Sequence, residues 1–187
     1  MTKTALIVVD LVRDFTLPEG AIFYESTGKM MPTVCSFIDE VRDRGVSIIY
    51  IQNIVDANQI NPNKISKKLS CLKGSGGELL DERLPIKKGD LIVPKKRFSA
   101  FFKTELEELL QKRKIEKVII IGTKTNCCIR ATAIDAQMRD YDTYIVSDCV
   151  STNTQELNEF HLQDLAKYTA TVLSSKEILD KMDKDEW

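Results

Sequence analysis

The chain has 187 residues, the length of one ordinary domain, and we expect residues 1–187 to form a single domain with a sizeable core. Its 27 Lys and Arg residues nearly balance its 28 Asp and Glu residues, so charge gives no reason to expect nucleic acid or a membrane surface as a partner. The apolar runs are too short for a membrane span, we expect no signal peptide, and five scattered cysteines do not form a disulfide pattern, so we expect a cytoplasmic protein that binds a small molecule.

Short apolar runs predict the strands of a parallel sheet. The first, TALIVV at residues 4–9, is the near-continuous kind that is buried on both faces, and it ends at Asp10. Similar runs follow at residues 46–51, 90–93, 117–121, 143–146 and 170–173.

Helical periodicity occupies the sequence between these runs. We predict helices at residues 31–44, 104–114, 126–139 and 154–167. Thr104 and Glu107 have the spacing of a capping box, and Gly45 is placed to end the first of these helices. Strands that alternate with helices predict an α/β fold: a three-layer α/β/α sandwich with a mostly parallel, doubly wound central sheet.

Two segments interrupt the alternation, at residues 16–30 and 53–85. The second contains the Asn, Pro and Gly-rich pieces NPNK and GSGG. Long loops in a compact domain are often lids or binding loops, so we expect these segments to determine specificity.

Asp10 is the first candidate for chemistry. An ionisable group after a buried strand is costly unless it is paired, and such a group often marks a site. Taken alone, Asp10 could equally cap the turn that follows.

Cys128 is the second candidate, in the stretch KVIIIGTKTNCCIRATAIDAQMRDY. It falls in the first turn of a predicted helix, where unpaired N–H groups and the helix dipole favour a thiolate and lower the thiol pKa from about 8.5. The other cysteines are interpreted as buried packing residues, and this includes the neighbouring Cys127.

The third candidate is the lysine pair in VPKKRFSAFFKTELEELL. A cation at a strand end could reach the crevice that Asp10 and Cys128 share, although most basic runs of this kind are solvated turns. Adjacent residues on a strand point to opposite faces, so only Lys95 or Lys96 can reach the crevice directly.

Three separated segments in the correct order resemble the isochorismatase-like cysteine hydrolases. IVVDLVRDF is similar to the opening motif of that family, PKKRFSAFFKTELEELL to its lysine motif, and GTKTNCCIRATAIDA to its nucleophile motif, while VSDCVST resembles its following strand. The opening motif departs from the family at Val12 and Arg13, where Gln and Asn are common.

The resemblance implies a role for each candidate. Cys128 would be the nucleophile, Asp10 the general acid/base and Lys95 the cation beside them. It also implies a cis peptide between Thr123 and Lys124, and an oxyanion hole formed by the backbone N–H groups of Lys124 and Cys128.

The only histidine, His161, is interpreted as a structural, hydrogen-bonded residue on a helix. Nicotinamidases of the superfamily bind a metal through an Asp and two histidines after the second strand, where this chain reads YIQNIVDANQINPNK. We therefore expect no metal and no cofactor.

The resemblance narrows the reaction. True isochorismatases lack the nucleophilic cysteine, so Cys128 favours C–N hydrolysis as in N-carbamoylsarcosine amidase-like and ureidoacrylate-type enzymes. The arginine that binds the substrate carboxylate in the best-known of these has no counterpart in residues 147–156.

Other interpretations of the family resemblance stay open. They are an isochorismatase-type or nicotinamidase-like hydrolase and a catalytically silent scaffold of the same fold. Members of the superfamily are commonly dimers or tetramers, so a homo-oligomer is expected.

Overall fold

The strands of the computed structural model form one parallel sheet in the order β3-β2-β1-β4-β5-β6. The structure describes residues 3–59, 69–184 and 186–187. The strands within these ranges are β1 (Thr4–Val9), β2 (Ser47–Asn53), β3 (Leu91–Lys95), β4 (Lys117–Thr123), β5 (Asp142–Ser151) and β6 (Thr171–Leu173). All pairings between them are parallel, which confirms the predicted α/β class with its doubly wound sheet.

Helices cover both faces of the sheet. They are α1 (Arg13–Thr16), α2 (Glu25–Asp43), α3 (Leu106–Lys112), α4 (Arg130–Gln137), α5 (Gln155–Tyr168) and α6 (Ser175–Asp183). Leu110 of α3, Ala133 of α4 and Leu165 of α5 pack on one face, whereas Val34 of α2 and Ile178 of α6 pack on the other. The result is a three-layer sandwich.

The strand order determines where a site can form. β1 lies between β2 and β4, and the chain reverses its direction of travel across the sheet at this point. Crevices in parallel sheets open at such a switch point, beyond the carboxyl ends of the strands. The segments that follow β1, β3 and β4 therefore lie at the same end of the sheet, beyond the carboxyl ends of the strands.

Helix α2 begins at Glu25 rather than at residue 31, so the predicted loop at residues 16–30 is partly helical. Ser26 Oγ donates to the carbonyl of Thr152 at 2.8 Å, and Thr27 Oγ1 lies 2.9 Å from Ser151 Oγ. These tertiary bonds hold the first turn against the end of β5, and Pro32 is accommodated inside the helix.

Helix α3 begins at Leu106, and the predicted capping box is wrong. Thr104 Oγ1 donates to the carbonyl of Ala100 at 2.5 Å, and Glu107 pairs with Arg139 instead of turning back to the helix terminus. A local bond back to Ala100 and a distant ion pair with Arg139 thus replace the two bonds of the capping box.

A capping box that was not predicted does form at α6, where Ser174 and Glu177 exchange hydrogen bonds. Gly45 follows α2 with a φ of +81°, as expected for a helix stop. The NPNK piece lies outside the described residues. Within the described ranges, no helix is long and apolar enough to cross a membrane.

Candidate active site

Three elements bring Asp10, Lys95 and Cys128 together at the carboxyl ends of the parallel strands. Asp10 follows β1, and its backbone N–H donates to the carbonyl of Ile51 at 3.0 Å, which extends the pairing with β2 by one residue. Lys95 ends the edge strand β3, and Cys128 lies in a π-helical turn between β4 and α4.

Lys95 is the centre of the cluster. Its Nζ lies 2.7 Å from Asp10 Oδ2 and donates to Cys128 Sγ at 3.4 Å and to the carbonyl of Arg97 at 2.8 Å. An ammonium group has three protons, and these contacts use all of them. Lys95 is buried whereas Lys96 is exposed, so the first lysine of the pair is the one that reaches the crevice.

The ion pair between Asp10 and Lys95 is fully desolvated, since both side chains are 0% exposed. Burial raises the pKa of Asp10 above its ordinary value, although the charge of Lys95 acts in the opposite direction. Burial alone would lower the pKa of Lys95, but the charge of Asp10 and the hydrogen bonds to Asp10 and Cys128 outweigh it and raise that pKa. Lys95 is therefore the fixed positive charge of the cluster.

Burial raises the pKa of the Cys128 thiol, and the charge of Asp10 raises it further. The helix-terminus argument predicted a lowered pKa, and that direction is wrong because desolvation of the thiolate dominates at a residue that is only 6% exposed. The raised pKa favours the thiol form of Cys128, and Asp10, which is hydrogen-bonded to it, is placed to accept its proton.

Side chains that the sequence did not single out hold the loop that carries Cys128. Thr125 Oγ1 donates to Asn158 Oδ1 at 2.5 Å, and Thr152 Oγ1 donates to Asn126 Oδ1 at 2.7 Å. The peptide bond between Thr123 and Lys124 is cis. No local pattern identifies Thr152 and Asn158, because both are distant in sequence from the loop they contact.

The remaining sequence candidates lie outside the cluster. Cys127 is half-buried against the core, and all five cysteines are free. His161 packs edge-on against Phe160, and its buried Nδ1 has no hydrogen-bond partner among the described residues, contrary to expectation. Val12 is buried, and Arg13 forms an ion pair with Glu82. Within the described ranges, no three His, Cys, Asp or Glu side chains are grouped as metal ligands.

The family model described as Isochorismatase domain matches residues 4–177. The chain belongs to the isochorismatase family. The match includes every strand that the structure describes and the three clustered side chains.

Isochorismatase-family relatives cover most of the chain. The family protein YaaI of Bacillus subtilis is 29% identical, over 95% of this chain and 97% of its own length. A probable inactive nicotinamidase of Arabidopsis thaliana is 33% identical, over 87% of this chain and 88% of its own. The ureidoacrylate amidohydrolase RutB of Cronobacter sakazakii is 26% identical, over 78% of this chain and 73% of its own.

Solved structures of the isochorismatase family share the fold. An isochorismatase-like hydrolase from Alkaliphilus metalliredigens superposes with a TM-score of 0.89 at 27% identity, over 96% of this chain and 98% of its own. A cysteine hydrolase from Pseudomonas syringae superposes with a TM-score of 0.88 at 25% identity, over 97% of this chain and 93% of its own. This isochorismatase-family chain is thus similar both to amidohydrolases and to a cysteine hydrolase.

Proposed function

We propose that this protein is a cysteine-dependent amidohydrolase that cleaves a C–N bond of a small carbamoyl, ureido or amide substrate. The observation that carries the proposal is the buried cluster in which Lys95 Nζ contacts Asp10 Oδ2 at 2.7 Å and Cys128 Sγ at 3.4 Å. A thiol, a carboxylate and a cation in one desolvated site are the parts that acyl transfer through a covalent intermediate requires.

The first half of the reaction follows from the charge states of the cluster, which are a thiol at Cys128, a carboxylate at Asp10 and an ammonium group at Lys95. Asp10 accepts the proton of the Cys128 thiol as the sulfur attacks the carbonyl carbon, and Lys95 keeps the shared negative charge paired. The backbone N–H groups of Lys124 and Cys128 are proposed to stabilise the oxyanion. The C–N bond then breaks, and Asp10 returns its proton to the leaving nitrogen.

The second half uses the same groups. Asp10 accepts a proton from a water molecule, whose oxygen attacks the acyl or carbamoyl carbon. The C–S bond breaks, and the proton held by Asp10 restores the Cys128 thiol. A carbamate product decomposes to ammonia and carbon dioxide, so ammonia release reports the reaction for carbamoyl and amide substrates alike.

The reaction class is supported by the relatives. The name of RutB assigns it to ureidoacrylate hydrolysis, and the name of the Pseudomonas syringae structure assigns that protein to the cysteine hydrolases. The more specific form of the proposal is an N-carbamoylsarcosine amidase-like activity, which the cysteine at position 128 favours because a thiol can carry a carbamoyl group between the two half-reactions.

The experiment is an ammonia-release assay over a panel of ureido acids, N-carbamoyl amino acids, aliphatic amides and nicotinamide. Wild-type protein is expected to release ammonia from at least one compound. Cys128→Ala is expected to lose this activity, whereas Cys127→Ala keeps it to within about twofold because Cys127 only packs against the core. Rapid quenching and intact mass spectrometry should detect one acyl or carbamoyl group on the wild type.

The competing function is a catalytically silent scaffold, which is favoured by the relative whose name marks it as an inactive nicotinamidase. It predicts no ammonia release from any compound and no covalent adduct. Equal activity of Cys128→Ala and wild type would also contradict the covalent mechanism.

A further inference from the structure

Lys124 presents a second cation beside the nucleophile. Its side chain is half-buried, and its Nζ donates to Tyr24 Oη at 3.4 Å while lying 4.7 Å from the centre of the Tyr24 ring. Among the residues that the structure describes, Lys124 pairs with no carboxylate, whereas Lys95 pairs with Asp10 and Lys29 pairs with Glu25.

The backbone fixes where this cation is attached. The carbonyl of Lys124 accepts hydrogen bonds from the N–H groups of Cys127 at 3.0 Å and of Ile129 at 3.1 Å. The lysine is therefore the first residue of the turn that presents Cys128. Lys124 is the N-cap residue of that turn, four residues before Cys128 along the chain.

Tyr24 brings the segment after β1 to the same place. This segment is held at the end of β5 by the bond from Ser26 to Thr152, and Thr152 in turn bonds to Asn126 of the nucleophile loop. Lys124 thus lies between the nucleophile loop and the segment that we expected to determine specificity.

Space for a ligand adjoins the residues that hold the nucleophile loop. A cleft of about 350 Å³ between α2 and the end of β5 is lined by Ser26, Lys29, Thr152 and Asn158 among others. Thr152 and Asn158 are also the residues that bond to the nucleophile loop, so the cleft and the loop share a wall of hydroxyl and amide groups.

A half-buried ammonium group in this position would be stabilised by an anion. Lysine has three donors, and Tyr24 receives one of them. A half-buried cation that lacks a carboxylate is poorly compensated, and an oxygen anion of a ligand would supply both charge and acceptors. No arginine is available between residues 147 and 156 to do this.

We propose that Lys124 binds the carboxylate of the substrate, with Tyr24 orienting its ammonium group, and that the substrates are therefore ureido or amido acids rather than neutral ureas or amides. This inference rests on the proposed function, because it assigns a substrate class to the same site. The backbone N–H of Lys124 remains available to the oxyanion, so one residue serves both ends of the substrate.

The test compares N-carbamoylglycine with isobutylurea, in which a branched alkyl group replaces the carboxylate. In wild-type protein the acid is expected to have the higher kcat/KM. In Lys124→Met the ratio of the two kcat/KM values should fall about 10- to 100-fold, the range for a lost charge-assisted hydrogen bond, mainly through KM for the acid. Lys124→Arg should restore much of the ratio.

Lys112→Met is the matched control, because it removes the same charge from an exposed lysine that is already paired with Glu108 and does not line the cleft. Its ratio should equal that of the wild type. An unchanged ratio in Lys124→Met, or an equal fall in Lys112→Met, would overturn the inference while leaving the proposed function intact.

Binding to Cys128→Ala separates the two proposals. NMR titration should show that this variant binds N-carbamoylglycine more tightly than isobutylurea, and that adding Lys124→Met abolishes the difference. Absence of turnover in the wild type with this binding difference present would contradict only the proposed function. Equal binding of both compounds by Cys128→Ala would contradict the Lys124 assignment.

Discussion

Asp10, Lys95 and Cys128 act on one another through burial more than through any property of each residue alone. Each candidate lies at or after the end of a parallel strand, where such ends converge, but the resemblance to the family assigned their roles and selected Lys95 over Lys96. The sequence misjudges the pKa of Cys128, since the extent of burial depends on how the surrounding segments pack. Lys124 was expected to contribute only its backbone, because no local pattern reveals its contact with Tyr24.

Asp10→Asn should uncouple the reactivity of the thiol from catalysis. The negative charge of Asp10 raises the pKa of Cys128, and Lys95 lowers it, so removing the carboxylate leaves the thiolate beside an uncompensated cation. We expect the pH midpoint of iodoacetamide labelling at Cys128 to move down. The turnover should nevertheless fall by a factor on the order of 10² to 10⁴, because the proton acceptor is lost.

Peptide mass spectrometry measures this labelling at Cys128 separately from the other four cysteines. Cys128→Ala gives the background of the assay. A midpoint in Asp10→Asn that equals or exceeds that of the wild type would show that Asp10 does not control the thiol.

At the scale of elements, apolar runs located every strand of the described sheet, and β1 was predicted with its observed bounds. The helix termini were less predictable because tertiary contacts set them. Helix α2 starts early on account of bonds to the end of β5, and α3 starts late because Thr104 bonds back to Ala100 and Glu107 pairs with Arg139. The strand β5 extends to Ser151 through an irregular register opposite Ile120 and Gly122.

Gly122 is the element-scale feature on which the site depends. It has a φ of +116°, and a Cβ atom there would lie 2.0 Å from the carbonyl oxygen of Val9, the residue before Asp10. Gly122→Ala must therefore separate β4 from β1 at their carboxyl ends, next to the candidate active site. We expect a loss of stability of at least about 2 kcal/mol and a loss of activity even at temperatures where the protein is folded.

Gly74→Ala is the control for backbone strain alone, because Gly74 has a φ of +84° but a Cβ atom added there would meet no described atom within 4 Å. Chemical denaturation measures both variants. If the two lose equal stability and both keep their activity, the close approach of β1 and β4 does not position Asp10.

At the scale of the whole molecule, the two ends of the parallel strands have different roles. The carboxyl ends carry the candidate site, whereas the amino ends carry contacts that stabilise the fold. Trp187 belongs to the second group: its Nε1 donates to Thr4 Oγ1 at 3.0 Å, and its ring lies 4.5 Å from the ring of Tyr144 and 5.1 Å from Lys117 Nζ. No sequence pattern indicates these contacts, since they join the end of the chain to residues far from it.

Trp187→Ala should therefore reduce stability without altering the chemistry. The loss of ring packing at the starts of β1, β4 and β5, together with the buried Thr4 hydroxyl left without its donor, is expected to cost about 1–3 kcal/mol and to lower Tm. The kcat/KM measured well below Tm should stay within about twofold of the wild type. The contacts of Trp187 lie at the amino ends of the strands, opposite the end that carries Asp10, Lys95 and Cys128. Trp187→Phe keeps a ring and loses the donor, so its loss should be the smaller, about 1 kcal/mol. An unchanged Tm in Trp187→Ala would contradict the stabilising role of Trp187, and a fall in kcat/KM as large as that of Gly122→Ala would show that the two ends of the strands are not independent.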